Sequence, residues 1–364
     1  MKIIHCADIH LDSPMASLPK EIAAKRREDL LLAFRHMVEY AHANDINTIL
    51  ISGDLFDRKK PSATAVNTVT GLIATYRDIN FYYLRGNHDC GELYDDESIP
   101  DNLIMFNEDW SRLCIADKSD GAGCDIVVCG IEPTSTNKEL CNHVPALDMN
   151  AFNIVMLHGE AGENADISLR SLRGCGIDYL ALGHIHSHKY AELDKRGAYC
   201  YPGCLEARGF DECGEHGFVV LDIDRVSRTH SIKLISNPIR AIHKLELDIS
   251  DCADSTDIFE AARRLVEDNV DSSDEMFLLE LVGSTDIGCD RNNHMLEQYF
   301  DNNYYLARVH DSSEYRVDYD DYALDESLKG EFVRLVKADL SLSEEDKAAI
   351  IRLGIKALRG EEIG

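Results

Sequence analysis

Five short clusters of potential ligands punctuate this sequence: Asp8-x-His10, Gly53-Asp54, Gly86-Asn87-His88-Asp89, His158-Gly159 and Gly183-His184-x-His186. Carboxylate, imidazole and amide oxygen form an intermediate donor set, suited to manganese, iron or zinc. They exceed the needs of one ion, and two ions sharing Asp54 would use them; such pairs sit ~3.5–4 Å apart. A shared carboxylate would also neutralise part of the repulsion between the cations. A single aspartate after a glycine is more often turn chemistry than a ligand, and a lone histidine is more often structural. Five clusters with one syntax, an apolar run and then donors, call for a common explanation.

The elements that must position these donors are legible around them. Residues 2–7 and 48–52 are aliphatic runs of strand composition, and 81–85 is a third. Between them, residues 21–43 repeat apolar side chains at three and four residues (Leu30, Leu31, Phe34, Met37, Val38, Ala41), and Pro61 suits the first turn of a second helix reaching 76. Alternating strands and helices predict a layered α/β domain, whose ligands lie beyond the carboxyl ends of the strands. Strands are also expected at 125–130, 152–157, 179–182, 198–201, 217–223 and 231–235, with a short helix at 168–173 and an exposed acidic loop at 91–101. Asn237-Pro238 is the natural seam. It separates residues 1–236 from a βαβαβ module at 237–320, and C-terminal helices are expected within 321–364, over 325–337 and 344–359. On the last helix Ile351, Ile355 and Leu358 share a face, read most simply as core packing.

Composition narrows the function classes. No apolar run approaches the ~18 residues of a membrane span, and the N-terminus enters a strand without a signal-peptide layout, so a cytoplasmic protein is expected. The 12 cysteines are irregularly spaced and are expected to be structural thiols rather than a disulfide framework. Cys200-x-x-x-Cys204 has no second half that would make a metal site. Acidic residues number 66 against 37 basic ones, a net charge of -29. Such a field repels polyanions unless metals or a local basic patch counter it.

Four segments, Ala7-Asp8-Ile9-His10-Leu11, Gly53-Asp54-Leu55-Phe56-Asp57, Gly86-Asn87-His88-Asp89 and Gly183-His184-Ile185-His186, resemble the calcineurin-like metallophosphoesterases, and within them the SbcD/YhaO-type DNA-repair exonucleases. Tyr201-Pro202-Gly203 with Arg208-x-Phe210 is similar to the segment these nucleases carry after the last histidines. The resemblance covers residues 1–235; the βαβαβ module is similar to their capping domain only in its order of elements. Departures are Cys204, where relatives often have serine, Asp57, where some have histidine, and a tail short of the long helical extension that some relatives carry for an ATPase partner.

The resemblance implies an α/β/α metallophosphoesterase sandwich followed by a smaller α+β capping-like domain. It implies one metal on Asp8, His10, Asp54 and His186, and a second on Asp54, Asn87, His158 and His184. His88 would stand unligated beside the scissile phosphate, steadied by Asp89, and would protonate or orient the leaving oxygen. The implied metals are two manganese ions, although the donors alone suit iron or zinc. The implied activity is phosphodiester hydrolysis by a metal-activated water, in a DNA-repair exonuclease that takes DNA as substrate, works with an SMC-like ATPase and forms a homodimer. The same metal core would serve a phosphodiesterase or phosphatase acting on a small nucleotide, which the acidic composition favours. For DNA, Arg58, Lys59, Lys60, Arg85 and Arg208 are expected to form a basic rim around the site.

Overall fold

The computed structural model describes residues 1–89, 99–117, 124–134, 136–163, 165–286, 289, 291–316, 322 and 324–359; of the expected acidic loop, residues 91–98 lie outside them. The chain divides into two compact units, Met1–Ala241 and Ile242–Gly364. Asn237-Pro238 falls inside the first unit, because its neighbours are tied there. The Asn237 side chain donates to the Ala33 carbonyl at 2.8 Å, and the amides of Ile239 and Arg240 donate to the Glu206 carboxylate at 2.6 and 3.2 Å.

The first unit is built on two six-stranded sheets. One runs in the order Thr229–Ser236 (β14), Gly217–Asp224 (β13), Lys2–Cys6 (β1), Thr48–Ser52 (β2), Asn80–Leu84 (β3) and Leu103–Met105 (β4). The other runs Lys189–Glu192 (β11), Ala198–Tyr201 (β12), Tyr179–Gly183 (β10), Phe152–His158 (β7), Cys124–Gly130 (β6) and Ser111–Asp117 (β5). Ala161–Gly162 (β8) and Ile167–Ser168 (β9) form a short pair. Strands β1, β2 and β3 are parallel, as are β7 and β10, so the ligand clusters that follow them leave the sheets at their carboxyl ends.

Every residue of β2, β7 and β10 is buried. Successive side chains alternate faces, which explains why both faces are apolar. Leu50 packs between the sheets with Ile3, Met156 and Ala181, whereas Ile49 and Ile51 pack outward under the helices Lys20–Ala43 (α1) and Ala63–Thr75 (α2). On the other outer face Leu180 and Leu182 meet the short helices Lys138–Cys141 (α3) and Leu169–Leu172 (α4). The layered α/β fold thus has a double sheet at its centre.

Local chemistry sets the element ends. Pro61 precedes α2 rather than opening its first turn, because Ser62 caps the helix and its hydroxyl accepts from the Ala65 amide at 3.3 Å. Strands β4, β5 and β11 were not legible in the sequence; all three are sheet edges and partly solvated, β4 being only three residues long and β5 and β11 mixing polar with apolar residues. Two of the expected free thiols are paired instead, Cys114 with Cys124, linking β5 to β6. Cys200 and Cys204 do not form a metal pair: Cys200 lies in the inter-sheet core, and Cys204 faces His216 and Glu212.

The second unit contains a parallel three-stranded sheet of Ile242–Asp248 (β15), Met276–Val282 (β16) and Leu306–Asp311 (β18), with helices Ser255–Asn269 (α5) and Asn293–Asn303 (α6) as its crossovers. Ser284–Asp286 (β17) pairs with Glu314–Arg316 (β19). Helices Leu328–Ala338 (α7) and Glu344–Arg359 (α8) follow. Ile351 and Ile355 of α8 are buried with Val333 and Tyr322, whereas Leu358 is 45% exposed, so two of the three expected face residues pack into a core. No helix among the described residues is long and apolar enough to cross a membrane.

Candidate metal centre

The first two ligand loops continue the pairing of β1 with β2 beyond the strands. The Asp8 amide donates to the Gly53 carbonyl at 3.1 Å, His10 to Asp54 at 2.9 Å, and Leu11 to Leu55 at 2.9 Å. This zipper presents side chains toward the gap between the sheets, and it requires unusual backbone. Asp8, His10, Asp54 and His184 adopt φ of 52°, 49°, 51° and 102°. For non-glycine residues such conformations cost on the order of 1–3 kcal/mol each and collect at functional sites. Two glycines permit the close approach. A Cβ on Gly53 (φ 97°) would stand 2.0 Å from His158 Nδ1, and one on Gly183 would stand 1.9 Å from the Ser52 carbonyl oxygen.

All five clusters meet at this edge. His10 Nε2 lies 3.2 Å from His186 Nε2 and 4.0 Å from Asp54 Oδ2. On the other side His158 Nε2 is 3.2 Å from the same Asp54 Oδ2 and 3.0 Å from Asn87 Oδ1, which in turn is 3.3 Å from His184 Nδ1. Asp8 joins both groups, with donor atoms within 4.8 Å of His10 and His186 and of Asp54 and His158. Its carboxylate also accepts the His184 amide at 2.9 Å. Asp8, His10, Asp54 and His158 are buried, whereas Asn87 and His184 open to solvent.

The donor chemistry fits two divalent cations. His186 Nδ1 stands 2.6 Å from Glu212 Oε1, and His10 Nδ1 lies 3.0 Å from Asp57 Oδ1, off the line of a good hydrogen bond. With the His186 ring proton on Glu212 and the Asp57 carboxylate beside His10 Nδ1, the two Nε2 atoms face each other at 3.2 Å, a crowding that a cation between them relieves. His158 repeats the pattern, its Nδ1 donating to the Ser52 carbonyl at 2.9 Å and its Nε2 facing Asp54 and Asn87. Burial raises Asp8 to about 6. Burial also opposes the charge on His158, but the hydrogen bond and charge of Asp54, with Asp8 behind it, push that imidazole up to about 9. In return, Asp54 is held below the usual carboxylate range despite its burial, chiefly by His158.

His88 is not in the groups around Asp8 and Asp54 but forms a third with His10 and Asp57, donor atoms within 4.8 Å of one another, with its side chain 44% exposed. Its expected partner, Asp89, does not steady it. Asp89 is fully buried and accepts from the Gly86 and Phe56 amides at 2.7 and 3.2 Å and from the Tyr83 hydroxyl, so it closes the turn that carries Asn87 and His88. Asp57 steadies His88 instead, with Oδ1 2.9 Å from His88 Nδ1. The basic rim is likewise smaller than expected. Arg85 is paired with Glu132, its Nε donating at 2.8 Å, and Arg208 is paired with Glu212 at 2.6 Å and Asp57 at 3.3 Å. Arg58, Lys59 and Lys60 are exposed, and Lys59 lines a cavity of about 600 Å³ beside Asn87, His158 and His184. Glu212 escaped the sequence reading because it follows no strand. Its only signal is its place four residues beyond Arg208.

The calcineurin-like phosphoesterase family matches residues 1–188. The chain is similar to the uncharacterized metallophosphoesterase YhaO of Bacillus subtilis, at 26% identity over 280 residues, 74% of this chain and 67% of that protein. It is similar to the DNA double-strand break repair protein Mre11 of Aeropyrum pernix, at 24% identity over 302 residues, 77% of this chain and 72% of that protein. A solved dimetal phosphatase from Danio rerio overlaps it with a TM-score of 0.41 at 9% identity, over 65% of this chain and 99% of that one.

Proposed function

The chain belongs to the calcineurin-like phosphoesterase family and is a metal-dependent phosphoester hydrolase; from that premise we propose that it is a manganese-dependent DNA exonuclease acting in DNA repair. The observation that carries this reading is the similarity to a DNA double-strand break repair protein across 77% of the chain. In this reading one ion would be held by Asp8, His10, Asp54 and His186 and the other by Asp54, Asn87, His158 and His184, with Asp54 contributing to both. Bound ions of this kind supply Lewis acidity and a nucleophilic water at neutral pH. The protein's own part is to keep the histidine tautomers fixed and to aim His88. With Nδ1–H held by Asp57, the opposite ring nitrogen of His88 can give a proton to the departing oxygen from the doubly protonated ring, which is left as the neutral Nδ1–H tautomer. The resemblance extends the proposal to an SMC-like ATPase partner and a homodimer.

Proton linkage gives a first check on the ligand set. Because His158 is pushed up to about 9, it carries a proton at pH 7, and an ion arriving at Nε2 must displace it. Manganese affinity is therefore expected to climb with pH up to about 9, with proton uptake by the buffer measurable by calorimetry in buffers of different ionisation enthalpy. An affinity that is flat between about pH 6 and 9 would remove His158 from the ligand set.

DNA must approach a chain of net charge -29, and of the five expected rim cations Arg58, Lys59 and Lys60 are the exposed ones. The test compares linear duplex DNA, bis-p-nitrophenyl phosphate and a cyclic nucleotide, with manganese present. Neutralising the three residues together is expected to lower DNA cleavage and to flatten the log–log salt dependence of binding by roughly one per residue. Hydrolysis of the small phosphodiester should be spared. Equal loss on both substrates would indicate a folding defect. An unchanged rate on DNA would favour the second reading, a phosphodiesterase or phosphatase for a small nucleotide. The cavity beside Asn87, His158 and His184 supports that alternative, since about 600 Å³ is within the range of small-molecule sites.

A further inference from the structure

The two histidines whose Nε2 atoms face each other are each backed by a carboxylate, and one arginine joins those carboxylates. His186 Nδ1 donates to Glu212 Oε1 at 2.6 Å, and His10 Nδ1 lies 3.0 Å from Asp57 Oδ1. Arg208 spans the gap, with Nη2 donating to Glu212 Oε1 at 2.6 Å and Nη1 to Asp57 Oδ1 at 3.3 Å. The loop is built to hold Glu212 still. Its Oε2 accepts the Arg208 amide at 2.7 Å, and its carbonyl accepts from His216 Nε2 at 2.6 Å. His216 in turn sets Nδ1 3.1 Å from the buried Cys204 sulfur. The Glu212 and Asp57 side chains are only 5% and 10% exposed, so their charges depend on these partners.

We propose that Glu212 is a positioning residue for His186, and that Arg208, by clamping Glu212 to Asp57, holds His10 and His186 in the orientation one metal ion requires. This rests on the reading of His10 and His186 as ligands of a single ion. A carboxylate that takes the Nδ1 proton fixes the tautomer, turns the Nε2 lone pair toward the metal and raises its basicity; loss of such a partner typically costs ~10–100-fold in metal affinity. Asp57 also receives His88, so the clamp ties the orientation of one ion's histidines to that of the proton donor. Arg208 is thereby reassigned. A guanidinium whose donors are directed at two carboxylates, with Nη2 also 3.3 Å from His186 Nδ1, acts as a structural cation of the site.

The test reads metal binding rather than turnover. Manganese is titrated by calorimetry into the chelator-treated chain, and cobalt is added in parallel for its visible absorption. Wild type is expected to take up two ions. Glu212→Ala should weaken one of them by about 10–100-fold and leave the other unchanged, and the cobalt band of the weakened ion should shift. Glu212→Gln keeps an acceptor of the same reach and should recover part of the loss; it also decides the matter should the alanine variant fail to fold. Arg208→Lys should weaken the same ion, because a single ammonium cannot reach both carboxylates. Wild-type affinity at both ions in Glu212→Gln, or equal weakening of both, overturns the positioning role. A wild-type chain that takes up fewer than two ions instead overturns the ligand reading beneath it.

Discussion

Asp54→Asn is expected to strip more metal from the protein than a change at any other donor. Asp54 Oδ1 is occupied by the His88 amide at 2.9 Å, which leaves Oδ2 to face His158 at 3.2 Å and His10 at 4.0 Å. Asparagine preserves the shape but loses the charge and can turn an N–H toward a cation. In the proposed ligand set Asp54 would serve both ions, so metal content should fall from two ions toward none. His186→Ala or His184→Ala should each release chiefly one. Hydrolysis should fall by on the order of 10³-fold or more, since loss of even one group stabilising transition-state charge costs ~10²–10³. Elemental analysis after gel filtration reads the outcome. Full occupancy in Asp54→Asn would leave no place for a shared carboxylate.

His88→Ala should behave in the opposite way, keeping both ions and losing turnover. The imidazole is exposed and lies outside the proposed ligand set, although its donor atom is within 4.8 Å of those of His10 and Asp57 and its edge meets the His10 ring at 4.9 Å between centroids. A lost acid–base group costs on the order of 10²–10⁴-fold. The loss should be smaller on a substrate with a good leaving group such as p-nitrophenolate, which scarcely needs a proton. Asp57→Asn should show part of the same defect, whereas Asp89→Asn should act through the stability of the turn closed by its bonds to Gly86, Phe56 and Tyr83. Metal loss in His88→Ala, or an equal loss on good and poor leaving groups, would take His88 out of the proton-donor role.

Much of the framework is local information. The run Thr48–Ser52 can be read as a buried strand because every one of its residues is apolar or small, and a strand buried on both faces needs just that composition. The donors are legible for a related reason: a metal site needs particular atoms at the ends of particular strands, and Gly53, Asp54 and Gly183 write that requirement into adjacent positions. The edge strands β4, β5 and β11 carry no such mark, because what defines them is a neighbour far along the chain.

Residue type and spacing alone therefore determine which side chains are available to hold metal, and that strands deliver them. Tertiary structure decides how they are partnered. His158 meets Asn87 across 71 residues of sequence and His184 meets it across 97, in a gap that exists only because two sheets pack face to face. It is also the folded chain that gives His88 to Asp57 rather than to its neighbour Asp89, and that pairs Arg85 with Glu132 and Arg208 with Glu212. With 66 acidic residues against 37 basic ones carboxylates are abundant, and a buried guanidinium such as that of Arg26 needs them as partners. Sequence counts the charges; only the fold says which of them are already spent on each other.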